Sequence, residues 1–578
     1  MNSLAKFMQA FIRIAKDAIL QYLCPKGMGV SMKKSVIGFI SVLLITTNIL
    51  TGCSSNTGNT STDTLRVTSS APSETTTTDS DTALATTLLA SSKVVLDKNF
   101  TANDLEVGFE ESEATFITLE GSNIKVSGNG ATALNNVLTI NDEGIYVISG
   151  TLADGQIIVD AKKKDKIRLV LNGAKISCSD NAPIYIKNAD KTFITLEENT
   201  TNTLTDGSAY VQSDDNSVDG VIFSMSDLTL NGDGLLYINA NYKHGIISKD
   251  ELTFTGGTYQ ITAVKDALNG KDCVRIKNGS FTLSAASGNA IQSKNNEDIT
   301  KGYVYIYGGT ITIMNSQEGI EGTAIVVEGG TIDIKASDDG LNASNGNTTT
   351  AAPATVDAVA VTTTELSTTN TPDITASATP DSDFGRRLGP GNDGFGGGGE
   401  MENDTNCYLS ISGGTIHINA RGDGIDSNGS IYITGGNIFV SGPSDNGNAG
   451  MDYNGTADIT GGTIIVAGSA GMAQGFSETS TQYSILRNLS AENAADEKVT
   501  LTDADDKVII TYTPENPYQS LVISSPDLAD GETYTLSCGD QTADITISSI
   551  VTSNAQAGMN GKMFNGDRPD RGNMPKTK

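Results

Sequence analysis

The chain has no tryptophan and only two histidines, His244 and His417. A zinc centre needs imidazoles or clustered thiolates, and a nucleophile triad needs a positioned base, so neither is well served. The six cysteines, Cys24, Cys53, Cys178, Cys273, Cys407 and Cys538, form no CxxC pair. Their wide spacing argues against a disulfide-dense scaffold. Aromatics make up 6% of 578 residues and all hydrophobic residues 37%, less than a conventional globular core of that length would hold. Positive charge is outnumbered, 38 Lys and Arg against 68 Asp and Glu. The formal charge of −30 repels nucleic acid and anionic surfaces and favours cations. Glycine is abundant, at 62 residues, which suits short strands joined by tight turns.

The first segment reads as an export signal. Met32-Lys33-Lys34 is a basic start, Val36 to Leu50 an apolar run, and Leu50-Thr51-Gly52-Cys53 looks like a bacterial lipobox. The run is too short for a spanning helix. Cys53 is the expected lipidation site, which would anchor an extracytoplasmic protein to the bacterial cell membrane. Met8, Phe11, Ile12, Ala15 and Ile19 lie on one helical face ahead of it, but Met32 is the expected true start. Residues 1–52 are therefore read as a leader. Their loss removes six basic residues and one acidic one and leaves a more acidic protein. Residues 53–92, rich in Ser, Thr and Asn, cannot offset their ordering entropy by apolar burial and read as a disordered spacer.

Strand-like runs begin near Glu143, and no helical period competes with them. The clearest unit is an apolar alternation, a glycine pair, then Thr-Ile-x-Ile, as in Val304-Tyr305-Ile306-Tyr307-Gly308-Gly309-Thr310-Ile311-Thr312-Ile313. The residue after the glycines falls at 235, 258, 280, 310, 331, 415, 437 and 463. A period near 22 with such short strands fits neither a propeller blade nor a leucine-rich repeat. It predicts an all-β fold, a right-handed parallel β-helix or solenoid over residues 93–477. Its strands would stack about 4.8 Å apart, some twelve coils making about 60 Å. Ile306, Ile311 and Ile313 would point into the core. A Thr/Ala/Pro-rich insertion, 344–404, is expected to loop out disordered without breaking the stack. Residues 478–548 suggest a small C-terminal β cap, and 549–578 a disordered tail.

The repeats carry acid in phase. Eight residues beyond the residue that follows the glycine pair stand Asp266, Glu318, Asp339, Asp423 and Asp445. Eleven residues beyond that same residue stand Asn269, Glu321, Asn342, Asp426 and Asn448. Asp338 precedes Asp339 in the turn Asp338-Asp339-Gly340-Leu341-Asn342. Carboxylates stacked at strand spacing repel unless a cation sits among them. Calcium takes six to eight hard oxygens from carboxylates, Asn side chains, carbonyls and water, so several calcium sites are expected. Ile320, Leu341 and Ile425 would anchor the turns. The same pattern would also arise from a solvated acidic corner whose Asp and Asn serve turn geometry alone.

These glycine-pair repeats and Asp-Gly-Ile-Asp turns behind a lipobox resemble a bacterial family of carbohydrate-binding β-helix proteins, over roughly residues 95–475. The resemblance implies a pectate-lyase-like fold, calcium, and binding of cellulose or polygalacturonate, with no lyase activity established for the family as a whole. On that carry-over Asp266, Glu318, Glu321, Asp339, Asp423 and Asp426 are calcium ligands. Three functions then stand side by side. The first is calcium-dependent binding of an extracellular polysaccharide, the metal bridging protein and uronate carboxylates, with Tyr237, Tyr259, Tyr305, Tyr307 and Tyr432 as outward stacking residues. The second is a calcium-dependent lyase using Lys243, Lys265, Arg275 or Arg421 as base. The third is a surface scaffold or adhesin with structural calcium. His244 shows no partner in the sequence, and His417 sits at an outward strand position. Cys407 falls at an inward one.

Overall fold

A computed structural model describes residues 92–345 and 403–555. Cys53, the leader, most of the insertion and the tail lie outside the described residues. Within them helix is confined to Ala102–Leu105 and a single 3-10 turn, Glu111–Glu113. The rest is β, as expected of runs of Val, Ile and Thr alternating with polar residues.

Three long parallel ladders dominate. Each repeat gives one strand to each ladder in turn, and each strand pairs with its counterpart in the next repeat. The first ladder contains Leu268–Gly270, Ile291–Ser293, Ile320–Gly322, Leu341–Ala343, Ile425–Ser427 and Met451–Tyr453. The second contains Asp227–Gly232, Glu251–Phe254, Cys273–Ile276, Tyr303–Ile306, Ala324–Val327, Tyr408–Ile411, Ser430–Ile433 and Ala457–Ile459. The third carries the residues that follow the glycines. Leu235 pairs with Thr258, and then in succession come Ser280, Thr310, Thr331, Thr415, Asn437 and Thr463. The insertion leaves this pairing intact, since Thr331 pairs with Thr415 across it.

Alternation puts every second residue inside. Ile306, Ile311 and Ile313 are buried in one continuous core with Ile261, Leu283, Ile334 and Ile418. The second glycine of each pair turns the corner. Gly330 has φ +96°, and a Cβ there would lie 2.8 Å from the Gly309 carbonyl oxygen, so only glycine lets the neighbouring repeats approach.

Both ends of the ladders change direction. Ala114–Gly121 pairs antiparallel with Asn123–Ser127. At the other end Thr463–Gly468 pairs antiparallel with Tyr518–Ser524. Val508–Tyr512, Val499–Thr502, Thr533–Cys538 and Gln541–Thr546 then form a separate antiparallel sheet, with Leu501, Ile510, Tyr534 and Leu536 in its core. Cys178, Cys273, Cys407 and Cys538 are buried free thiols.

The segment from Ser92 to Glu106 lies across the outward face of the second ladder as a strap. Val94 packs with Tyr303, Tyr305, Tyr408 and Tyr432, joined by Leu96 and Phe100. This explains why Tyr303–Ile306 is buried at all four positions instead of alternating. It also corrects the expected stacking platform. Tyr305 and Tyr432 are buried in the strap's cluster. Tyr259 faces inward, stacked on Phe281 at 5.0 Å, with its hydroxyl donating to the Gly256 carbonyl at 2.8 Å. Of the five, Tyr237 and Tyr307 are exposed.

Candidate metal centre

The last four strands of the first ladder are three residues long. In each, the flanking Ile320, Leu341, Ile425 or Met451 is buried and fixes the strand to the core. The middle residue then points outward by alternation. Register aligns these middle residues in a row: Gln292, Glu321, Asn342, Asp426 and Asp452. Three residues earlier the turns stack as well. Gly319 N–H donates to the Asp339 carbonyl at 2.9 Å, and Gly340 N–H to that of Asp423 at 2.9 Å. Gly340 is required there, because a Cβ would come 2.5 Å from the Gly424 carbonyl oxygen.

Asp423, Asp426 and Asp452 form the tightest group. Each offers a carboxylate oxygen, and the three lie within 4.8 Å of one another. Among the described residues no basic side chain pairs with Asp339, Asp423, Asp426 or Asp452. Burial pushes the Asp426 carboxyl up to about 8, helped by the charges of Asp339, Asp423 and Asp452. Asp423 is raised to about 7 by burial against a hydrogen bond from Ala449 N–H, with Asp339 and Asp452 adding repulsion. Burial raises Asp339 to about 6 in the same way, and Asp452 also shifts up on burial. A divalent cation would reverse these shifts. The donors are hard oxygens only, which suits calcium and not zinc. Asn342 lies next in the row, on the side away from Asp452. Its Nδ2 donates to Asp339 Oδ2 at 3.1 Å, and its buried Oδ1 has no partner.

The other expected ligands are placed differently. Glu318 is raised by burial and by Glu321 and Asp339, and its Oε2 is buried without a partner. Glu321 is already saturated. Asn289 Nδ2 donates to it at 2.5 Å, Gln292 Nε2 at 2.7 Å and Ser344 Oγ at 3.2 Å, and the Lys294 ammonium completes the set. Asp266 sits further up the stack with Asn269, whose Nδ2 donates to it at 2.6 Å. Burial acts to raise Asp266, but the hydrogen bond with His244 prevails and holds it low. His244 does have partners, Asp266 at 3.2 Å from Nδ1 and Asp219 at 3.8 Å from Nε2. Asp338 is exposed at the rim of its turn. Asp445 does not join the row. It is exposed and accepts the Gly447 N–H within its own turn at 2.9 Å.

The reason is a longer turn. The row's true member there is Asp452, paired in register with Asp426. Counting from the glycine pair misses it. Aligning Gly450-Met451-Asp452 on Gly424-Ile425-Asp426 would have found it. Arg275, a candidate base, belongs to the second ladder and is held by Glu251 at 2.6 Å and Asp97 at 3.1 Å. His417 stacks on Phe439 at 4.8 Å.

Comparison with known proteins adds a family. The model of the carbohydrate-binding domain-containing proteins matches residues 134–382. That span holds the turns from Asp266 to Asn342 and ends before Asp423. A carbohydrate-binding domain-containing protein of Acetivibrio thermocellus is 37% identical over 200 residues, 34% of this chain and 70% of the relative. A solved gadolinium derivative of a polysaccharide lyase-like protein from C. thermocellum is 34% identical, with a TM-score of 0.36, over 39% of this chain and 90% of that one.

Proposed function

The chain belongs to the carbohydrate-binding domain-containing family, and from that premise we propose that it binds an extracellular polysaccharide with calcium held on the acidic row. The three ladders are read as the faces of a right-handed parallel β-helix, the usual hand for parallel crossover connections. The single observation that carries the metal is the convergence of Asp423, Asp426 and Asp452 within 4.8 Å on an outward face. Carboxylates that close resist ionising together, and burial first and mutual repulsion second raise Asp423 and Asp426 above the usual carboxylate range. A calcium ion satisfied on the protein side by these oxygens keeps coordination positions for water or a ligand carboxylate. An acidic glycan is then held through the metal, despite a formal protein charge of −30. Lipidation at Cys53 would place the protein at the bacterial cell surface, with the polysaccharide outside.

The test is binding of polygalacturonate and of a neutral glucan to the full chain, with calcium and with chelator. The proposal expects polygalacturonate retention in calcium and its loss in chelator. Equal retention under both conditions would remove the bridging role. Failure of calcium to bind at millimolar concentration would remove the metal.

A further inference from the structure

The acidic row does not end at Asp426. Toward the first strands it continues through Asn342 to Glu321, with Asp339 and Glu318 in the turns beside them. The oxygen set there is Glu318, Glu321, Asp339 and Asn342, more widely spread than the three carboxylates gathered within 4.8 Å below it. Two atoms in it lack partners, Glu318 Oε2 and Asn342 Oδ1. Asn342 is 8% exposed and lies in register between Glu321 and Asp426. Such an unpaired buried oxygen is costly unless something binds it.

One feature distinguishes this upper set from the lower. Lys294 reaches from the preceding coil, two residues past Gln292, and sets its ammonium on Glu321 Oε1. Among the described residues it is the basic side chain that pairs with any acid of this stretch. We propose that Lys294 is a resident cation standing where a metal ion would otherwise sit, so that the row takes one calcium at Asp423, Asp426 and Asp452 and refuses a second at Glu318, Glu321, Asp339 and Asn342. The proposal rests on the lower cluster being a calcium site. The chemistry follows from the two cations. An ammonium is a compact single charge with three donors, enough to satisfy Glu321 but unable to gather the remaining oxygens. A calcium ion entering beside it would meet a like charge and find Glu321 taken. Glu318 Oε2 and Asn342 Oδ1 therefore stay unpaired.

Calorimetric titration of calcium into the full chain tests this, with the parent, Lys294→Gln, Lys294→Arg and the double variant Lys294→Gln with Glu318→Gln. The parent and Lys294→Arg are expected to bind one ion. Lys294→Gln is expected to bind two, and the double variant to return to one. Lys294→Met, which keeps the aliphatic stem, repeats the test if the glutamine variant does not fold. A parent that binds no calcium overturns the reading of the lower cluster. A parent that binds one ion and a Lys294→Gln protein that also binds one overturns the role of Lys294 alone, as does a parent that already binds two.

Discussion

Two outward rows of the same stack meet like-charge crowding in opposite ways. On the first ladder, carboxylates accumulate at strand spacing, and below Asn342 no basic side chain among the described residues pairs with them. On the second ladder the chain supplies everything itself. The strap lays Asp97 on Arg275 at 3.1 Å, Lys98 on Glu328 at 2.7 Å and Asp104 on Lys191 at 2.9 Å. Asp104 also accepts from Thr229 Oγ1 at 2.7 Å and caps its own short helix from Thr101. The carboxyl groups record the difference. Burial acts to raise both, yet hydrogen bonds from Lys191, Thr101 and Thr229 bring Asp104 down to about 2, while Asp426 stands at about 8. Burial alone does not decide the charge state of a carboxyl. The partner within reach does: Asp104 has Lys191 at 2.9 Å, and Asp426 has no basic partner among the described residues.

Breaking the self-sufficient row should cost most. Asp104→Ala leaves Lys191 nearly buried without its partner, and such a loss destabilises by about 3–5 kcal/mol. Urea denaturation of the variant should show it, and a change under about 1 kcal/mol would mean the strap is not held there. Completing the open row comes next. Calcium at about one hundred times its Kd should add about 2.7 kcal/mol to stability by mass action, and Asp423→Asn should abolish that gain in a thermal melt. A change touching neither row gives a scale for both. Gly330→Ala places a side chain at φ +96° against the Gly309 carbonyl and should cost about 1–3 kcal/mol with calcium binding unchanged.

The smallest effect is the response to pH, because water still reaches these partly buried carboxylates and screens them. Asp339, Asp423 and Asp426 have folded pKa values above their ordinary 3.8, at about 6, 7 and 8. The folded state binds the extra protons, so their contribution is full below about pH 4 and is lost as pH rises toward 8. Chelated protein should therefore melt lower at pH 8 than at pH 5, and saturating calcium should remove that slope. Asp104 behaves in reverse. Its contribution is present above pH 4 and is lost as pH falls through about 2.

Much of the stacking was legible because it is local and periodic. Every residue following a glycine pair or its single-glycine equivalent, from Leu235 to Thr463, meets its expected neighbour in the third ladder. Asp423 and Asp426 were legible for the same reason. Asp452 was missed because a longer turn broke the count, although the Gly-Met-Asp triplet carried the signal. The orientation of Tyr259 was also readable, since it shares a face with Ile261 and Ala263 in a strand of period two. The strap was not readable. Its contacts join residues such as Asp97 and Arg275, 178 positions apart, through single ion pairs that leave no periodic trace. Lys294 was hidden likewise, because its contact with Glu321 depends on the reach of one side chain into the next repeat.

The strap also decides where the upstream chain departs. Lys93 N–H donates to Asn406 Oδ1 at 2.9 Å, so residue 92 leaves the body beside a coil 313 positions further along, not beside the first strand. Any tension arriving from that side meets the flank of the stack. The contacts in order along the strap from that point are Asn406 with Lys93, Glu328 with Lys98, Lys191 with Asp104 and Arg168 with Glu106.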